Sequence, residues 1–187
     1  MKFQARYIPN VITIIRLMLV PPVAWAILSE EYHLAFWLFF LAGFSDGVDG
    51  FLARQFSWQS RLGATLDPLA DKLLMIVSFY CLFWQSIIPL GLFAVIAIRD
   101  LIILGGALAY HFITRALQMQ PIILGKINTA LQILLVMAIL VHYSYGLISA
   151  NLINLLVISL LVSTIVSGVA YVLIWYRKTR VFRDVTK

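Results

Sequence analysis

Cysteine occurs once in these 187 residues, at Cys81, so no disulfide can form within the chain and nothing points to an oxidising compartment. Charge is equally scarce, at 12% of residues against 63% hydrophobic, and the mean hydropathy of +0.97 leaves no segment able to build a water-soluble domain. Internal repeats, low-complexity tracts and nucleic-acid modules are missing too. The basic run from Arg177 to Lys187 is sufficiently explained as a topology signal, and no nucleic-acid partner is expected. What remains is one membrane domain over residues 1–187, made of apolar runs that recur through its whole length.

Since about 20 apolar residues cross the hydrocarbon core as a helix, the runs predict an all-α protein with six transmembrane helices, at roughly 11–29, 33–54, 67–85, 88–110, 125–145 and 150–176. The first is read as a retained helix, because Pro9, Arg16, Pro21 and Pro22 interrupt it and no small-residue cleavage site follows. Lysine and arginine are absent from the loops near 29–33, 85–88 and 145–151, where Glu30 and Glu31 stand. Lys2, Arg6, Arg54, Arg61, Arg115, Lys126 and the C-terminal basic run all fall on the other side. Cytoplasmic termini are therefore expected. The net charge of +6 comes largely from this rim, which would attract anionic headgroups and substrates.

Acidic residues number only eight, and four of them, Asp46, Asp49, Asp67 and Asp71, fall at the predicted cytoplasmic ends of the second and third spans. Ionised carboxylates in a membrane helix are costly and usually line a polar cavity or meet a cation. Asp46 and Asp49 are spaced i, i+3, Asp67 and Asp71 i, i+4, so each pair projects from one helix face. Two antiparallel helices joined by a short loop would bring the pairs together. Four converging carboxylates repel one another unless positive charge is supplied. With oxygen ligands and no nearby His or Cys, that charge is expected from Mg²⁺, Mn²⁺ or Ca²⁺ rather than Zn²⁺, and Mg²⁺ favours a site shared with substrate phosphates. Gly47, Gly50, Ala53 and Gly63 are small enough to admit a ligand or a neighbouring backbone, with helix packing as the alternative, and Arg54 and Arg61 stand where a phosphate would be met.

Written out, Asp46-Gly-Val-Asp49-Gly50-Phe-Leu-Ala53-Arg54, eight residues, Gly63, three residues, Asp67, three residues, Asp71 resembles, at every specified position, the signature of the CDP-alcohol phosphatidyltransferases. The resemblance implies a six-helix membrane fold, usually a homodimer, with an active site open to the cytoplasm, and an expected location in a bacterial inner membrane. It implies transfer of a phosphatidyl group from CDP-diacylglycerol to a glycerol-containing acceptor with release of CMP. It further implies that Asp46, Asp49, Asp67 and Asp71 hold two Mg²⁺ or Mn²⁺ ions, that Asp71 is also the catalytic base, and that Asp46, Gly50, Ala53, Arg54 and Gly63 bind the nucleotide.

Outside the motif, Pro9-Asn10 with Thr13 and Arg16 is similar to the first helix of the branch that makes phosphatidylglycerophosphate and cardiolipin. Arg16 either snorkels to the surface or meets phosphate. Arg99-Asp100 stands in mid-span, as an internal ion pair or as part of acceptor binding. Lys126, with Asn128, Thr129 and Gln132, opens the fifth span. Arg16, Arg61, Arg99 and Lys126 are thus the candidate acceptor or phosphate ligands. The resemblance places a second Arg one helical repeat after Arg99 in phosphatidylglycerophosphate synthases, where Gly105-Gly106 stands here, and Asn128 departs from their Lys-x-Lys-Thr pattern. Both departures lean towards phosphatidylglycerol as acceptor, with glycerol 3-phosphate as the alternative. A cation or solute transporter is the competing class, but the acids cluster near one face with no inverted counterpart. His33, His111 and His142 are expected to be interface residues.

Overall fold

The computed structural model describes the backbone of residues 8–55, 61–114 and 123–185, and the side chains of 11–45, 69–106 and 123–175. Six helices make it up: α1 (Ile8–Leu28), α2 (Tyr32–Gln55), α3 (Arg61–Trp84), α4 (Leu90–Thr114), α5 (Ile123–Tyr145) and α6 (Ala150–Val185). No strand occurs among the described residues. Val11–Leu28, Ile123–Tyr145 and Ala150–Trp175 are long and apolar enough to cross a membrane, and Tyr32–Ser45 is a shorter apolar stretch. These are the helices of an integral membrane protein, with large apolar side chains such as Met18, Ile98, Leu155 and Val169 on their outer faces.

The helices form two compact units. The first holds residues 1–88 and 136–150, the second 89–135 and 151–187, so α5 contributes to both. In the first unit α1 lies against both α2 and α3, which touch each other little among the described residues. Its sequence explains why: Thr13, Arg16, Val20, Val23 and Ile27 recur every three or four residues and are all buried. Ala35, Phe39 and Ala42 answer from α2, and Ala70, Leu74, Ser78 and Leu82 from α3. The alanines on these stripes let helices approach closely, as membrane interfaces require where no hydrophobic force drives association. Pro21 and Pro22 lie inside α1. They withdraw two amide donors, a loss tolerated in a membrane helix when neighbours or local adjustments satisfy the freed carbonyls.

Each helix of this unit that reaches the side away from the aspartates is closed off by a short turn. At the end of α1 the Glu31 amide donates to the Ala26 carbonyl (2.9 Å) and the Glu30 amide to Ile27 (3.1 Å), with Glu30 at φ 61°. The end of α3 repeats the pattern through Ile87 to Leu82 (3.0 Å) and Ser86 to Phe83 (2.8 Å), with Ser86 at φ 59°. This is the helix-ending motif that usually employs glycine, and α5 does so with Gly146 at φ 65°. Gln85 then sews two ends together: its Nε2 donates to the carbonyls of Leu28 (2.7 Å) and Ile27 (3.2 Å), the latter also accepting the Glu30 amide. Tyr32, His33 and Phe36 of α2 stack beside Tyr143 and Tyr145 of α5, and His142 Nδ1 lies 2.5 Å from the Ile148 carbonyl.

In the second unit the buried stripes are Leu92, Ile96 and Arg99 on α4, Asn128, Gln132 and Leu135 on α5, and Leu160, Thr164 and Ser167 on α6. The helical period is kept, but polar residues stand where apolar ones would pack. An apolar chain places such residues inside only where they have partners or work to do.

Candidate active site

The aspartate motif lies in the first unit. Asp46, Asp49, Gly50, Ala53 and Arg54 belong to the last three turns of α2, while Arg61, Gly63 and Asp67 belong to the first turns of α3. The helical backbone keeps the i, i+3 and i, i+4 spacings on one face of each helix. The side chains of these eight residues lie outside the described ones, as does that of His111. Asp71 is described, with 45% of its side chain exposed. Among the described residues no three His, Cys, Asp or Glu side chains come together.

Arg16 meets Asp71 directly. Its Nη1 donates to Asp71 Oδ1 at 2.8 Å, while its Nε donates to the Ala42 carbonyl of α2 at 3.2 Å. The residue is 0% exposed. That rules out snorkelling, and a guanidinium held at mid-helix costs about 3 kcal/mol on insertion scales unless it is paired. Ala42 also accepts the Ser45 hydroxyl at 2.7 Å, so this carbonyl, one turn before Asp46, collects two side-chain donors. The α1–α3 contact was invisible in the sequence, where nothing periodic links positions 55 residues apart.

A second polar cluster occupies the core of the second unit. Arg99 Nη1 donates to its neighbour Asp100 at 2.7 Å, and Nη2 donates to the Ser167 hydroxyl at 2.9 Å. The guanidinium also lies over the Tyr171 ring, 5.6 Å from its centre. Both alternatives for Arg99 thus touch the structure: it forms an internal ion pair, and it retains capacity, since its buried Nε has no hydrogen-bond partner. Thr164 has one hydroxyl proton and two acceptors in reach, Leu160 O at 2.7 Å and Asn128 Oδ1 at 2.9 Å. Turning the Asn128 amide over would let Nδ2 donate to Thr164 instead. In either orientation one polar atom of Asn128 is left without a partner, as is Gln132 Nε2.

Unpartnered buried polar atoms are rare in folded proteins, and each costs about 1–3 kcal/mol. Arg99, Asn128 and Gln132 each carry one in the second unit, groups able to hydrogen-bond a polar ligand. Gly125 makes room at the start of α5, where a Cβ would lie 2.8 Å from the Tyr171 hydroxyl and 3.3 Å from Arg99 Nη2. Lys126, next in the chain, is exposed. An apolar groove of about 330 Å³ runs between α4 and α6 past Arg99 and Thr164, walled by Val95, Ile98, Ile102, Ile165, Val169 and Val172. Thr164 and Ser167 escaped the sequence reading. Their signal was present, as two polar residues at i, i+3 inside a long apolar run.

Comparison with known proteins agrees with the motif. A family model described as CDP-alcohol phosphatidyltransferase matches residues 6–176. The human protein named cardiolipin synthase (CMP-forming) is 34% identical over 147 residues, covering 70% of this chain and 49% of its own length. The chain therefore spans about half the length of that relative. A protein of Aquifex aeolicus named CDP-diacylglycerol--glycerol-3-phosphate 3-phosphatidyltransferase is 31% identical over 169 residues, covering 89% of this chain and 94% of its own. A cardiolipin synthase (CMP-forming) of Streptomyces coelicolor is 38% identical over 112 residues, 56% of this chain and 52% of its own.

Proposed function

We propose that this chain, which belongs to the CDP-alcohol phosphatidyltransferase family, transfers a phosphatidyl group from CDP-diacylglycerol to phosphatidylglycerol, forming cardiolipin and releasing CMP. The observation that carries the transfer is the eight-position motif with its four carboxylates, within a match spanning nearly the whole chain. An all-carboxylate donor set fits hard divalent ions. Two Mg²⁺ or Mn²⁺ ions held by Asp46, Asp49, Asp67 and Asp71 would offset the diphosphate charge and stabilise the leaving CMP. Gly50, Ala53 and Gly63 admit the nucleotide close to the helix backbones, and Arg54 braces the motif or meets phosphate. The acceptor hydroxyl oxygen attacks the phosphorus bearing diacylglycerol, the bond from that phosphorus to the CMP oxygen breaks, and Asp71 takes the hydroxyl proton.

The acceptor reading rests on the second unit. Asp100 cancels the charge of Arg99 at 2.7 Å, which leaves hydrogen-bond donors without a net positive field. A phosphodiester with hydroxyl groups suits such a site better than a dianionic phosphate. The apolar groove beside it suits an acyl chain. A lipid acceptor satisfies both features. Glycerol 3-phosphate is the second reading, favoured by the match to nearly the full length of the Aquifex protein of that name; the exposed Lys126 would then supply positive charge in the second unit. Six membrane spans, cytoplasmic termini, a single functional domain, a homodimer and a bacterial inner membrane complete the proposal. CMP release from CDP-diacylglycerol in detergent micelles with Mg²⁺ or Mn²⁺ tests it, with the strongly impaired Asp71→Asn as the control. Metal flux without CMP release would mean a transporter instead.

A further inference from the structure

Arg16 reaches both helices of the carboxylate motif from a third. Its guanidinium is fully buried, donates to the Ala42 carbonyl four residues before Asp46 on α2, and donates to Asp71 on α3. The two motif helices touch each other little among the described residues, while α1 packs on both. Arg16 thus bonds α1 to both motif helices at once, through the Ala42 carbonyl of α2 and the Asp71 carboxylate of α3. A carboxylate on the end of a helical side chain has several rotamers. A donor fixed by burial and by a second bond to backbone selects one of them.

We infer that Arg16 is a positioning residue for Asp71, holding Oδ1 so that the carboxylate is presented in one orientation to the transfer reaction. The inference rests on the reading of Asp71 as the group that takes the acceptor's proton. It replaces the phosphate contact expected for Arg16 from sequence: with no exposed surface, this guanidinium offers no face to an incoming substrate. The pairing follows the general pattern in which an outer residue fixes a reacting group and its loss costs about 10–100-fold.

A double-mutant cycle decides it, with each substrate varied in turn at saturating Mg²⁺ on purified protein whose folding is checked by thermal midpoint and size exclusion. Arg16→Gln is expected to lower kcat about 10–100-fold while leaving KM for CDP-diacylglycerol and for the acceptor unchanged. Arg16→Lys, which keeps a donor and a charge, recovers part of the loss. On the Asp71→Asn background, Arg16→Gln costs nothing further. A purely structural Arg16 would cost the same factor on both backgrounds, and that result overturns the inference, as does wild-type kcat in Arg16→Gln. A KM effect on the acceptor with kcat intact also overturns it and restores the phosphate contact. If Arg16→Gln does not fold, Arg16→Lys is read in the same cycle. Full activity in Asp71→Asn instead removes the reading of Asp71 itself.

Discussion

Arg16 in the first unit and Arg99 in the second are both buried in helix interiors, yet they are neutralised differently. Arg16 finds its carboxylate on another helix, at Asp71, and spends its Nε on a backbone carbonyl. Arg99 finds a carboxylate on its chain neighbour, Asp100, and keeps a buried Nε without a partner, as Asn128 and Gln132 keep a polar atom each. A long-range pair fixes one helix against another. A local pair cancels charge but fixes little, and leaves donors to be used by something else. Arg16 is bonded between helices of the first unit, whereas the second unit keeps buried polar atoms without partners.

The comparison breaks or sharpens under substitution. The largest effect is expected at Asp71→Asn, which removes the proposed proton acceptor and should lower CMP release by about 10²–10⁴-fold. Exchanging the arginines comes next. Arg16→Gln should reduce kcat, whereas Arg99→Gln should raise the acceptor KM about tenfold, equivalent to about 1.5 kcal/mol for one charge-assisted hydrogen bond, with KM for CDP-diacylglycerol unmoved. Initial-rate kinetics with each substrate varied separately distinguish the two patterns. Smaller still, Gln132→Leu replaces an unpartnered donor with apolar volume and should raise thermal stability by about 1 kcal/mol while weakening acceptor binding. Ser78→Ala is the counterpart in the first unit, where the buried hydroxyl also lacks a partner. It should gain no more than about 1 kcal/mol and leave activity alone. Thermal unfolding in detergent beside the rate assay shows whether stability and function part company only in the second unit.

Much of this could be read in the sequence, for identifiable reasons. The apolar runs placed every helix, because lipid demands a continuous stretch of apolar side chains. The outer ends agree within two residues, as for Leu28 against 29 and Leu90 against 88, since short loops without charge mark them. The inner ends agree less well: α3 begins at Arg61 rather than 67 and α6 runs to Val185 rather than 176. There the helix continues into polar residues, which an apolar-run criterion does not follow. Asp71 was legible as an isolated acid within an apolar pattern, and Arg99 as an isolated cation. What escaped were the partners. Arg16 with Asp71, and Gln85 with the Ile27 and Leu28 carbonyls, are contacts between distant positions that leave no local periodicity. The packing of α1 on both α2 and α3, through one buried stripe, likewise left no mark that the sequence could show.

The most direct test of the account offers purified protein CDP-diacylglycerol and Mg²⁺ with equal amounts of phosphatidylglycerol and glycerol 3-phosphate in one mixture, and follows CMP and the lipid products together. Cardiolipin accumulating in step with CMP is the expected result. Phosphatidylglycerophosphate in step with CMP would contradict the acceptor site described for Arg99, Asn128 and Gln132, and an absence of CMP with either acceptor would contradict phosphatidyl transfer to a glycerol-containing acceptor.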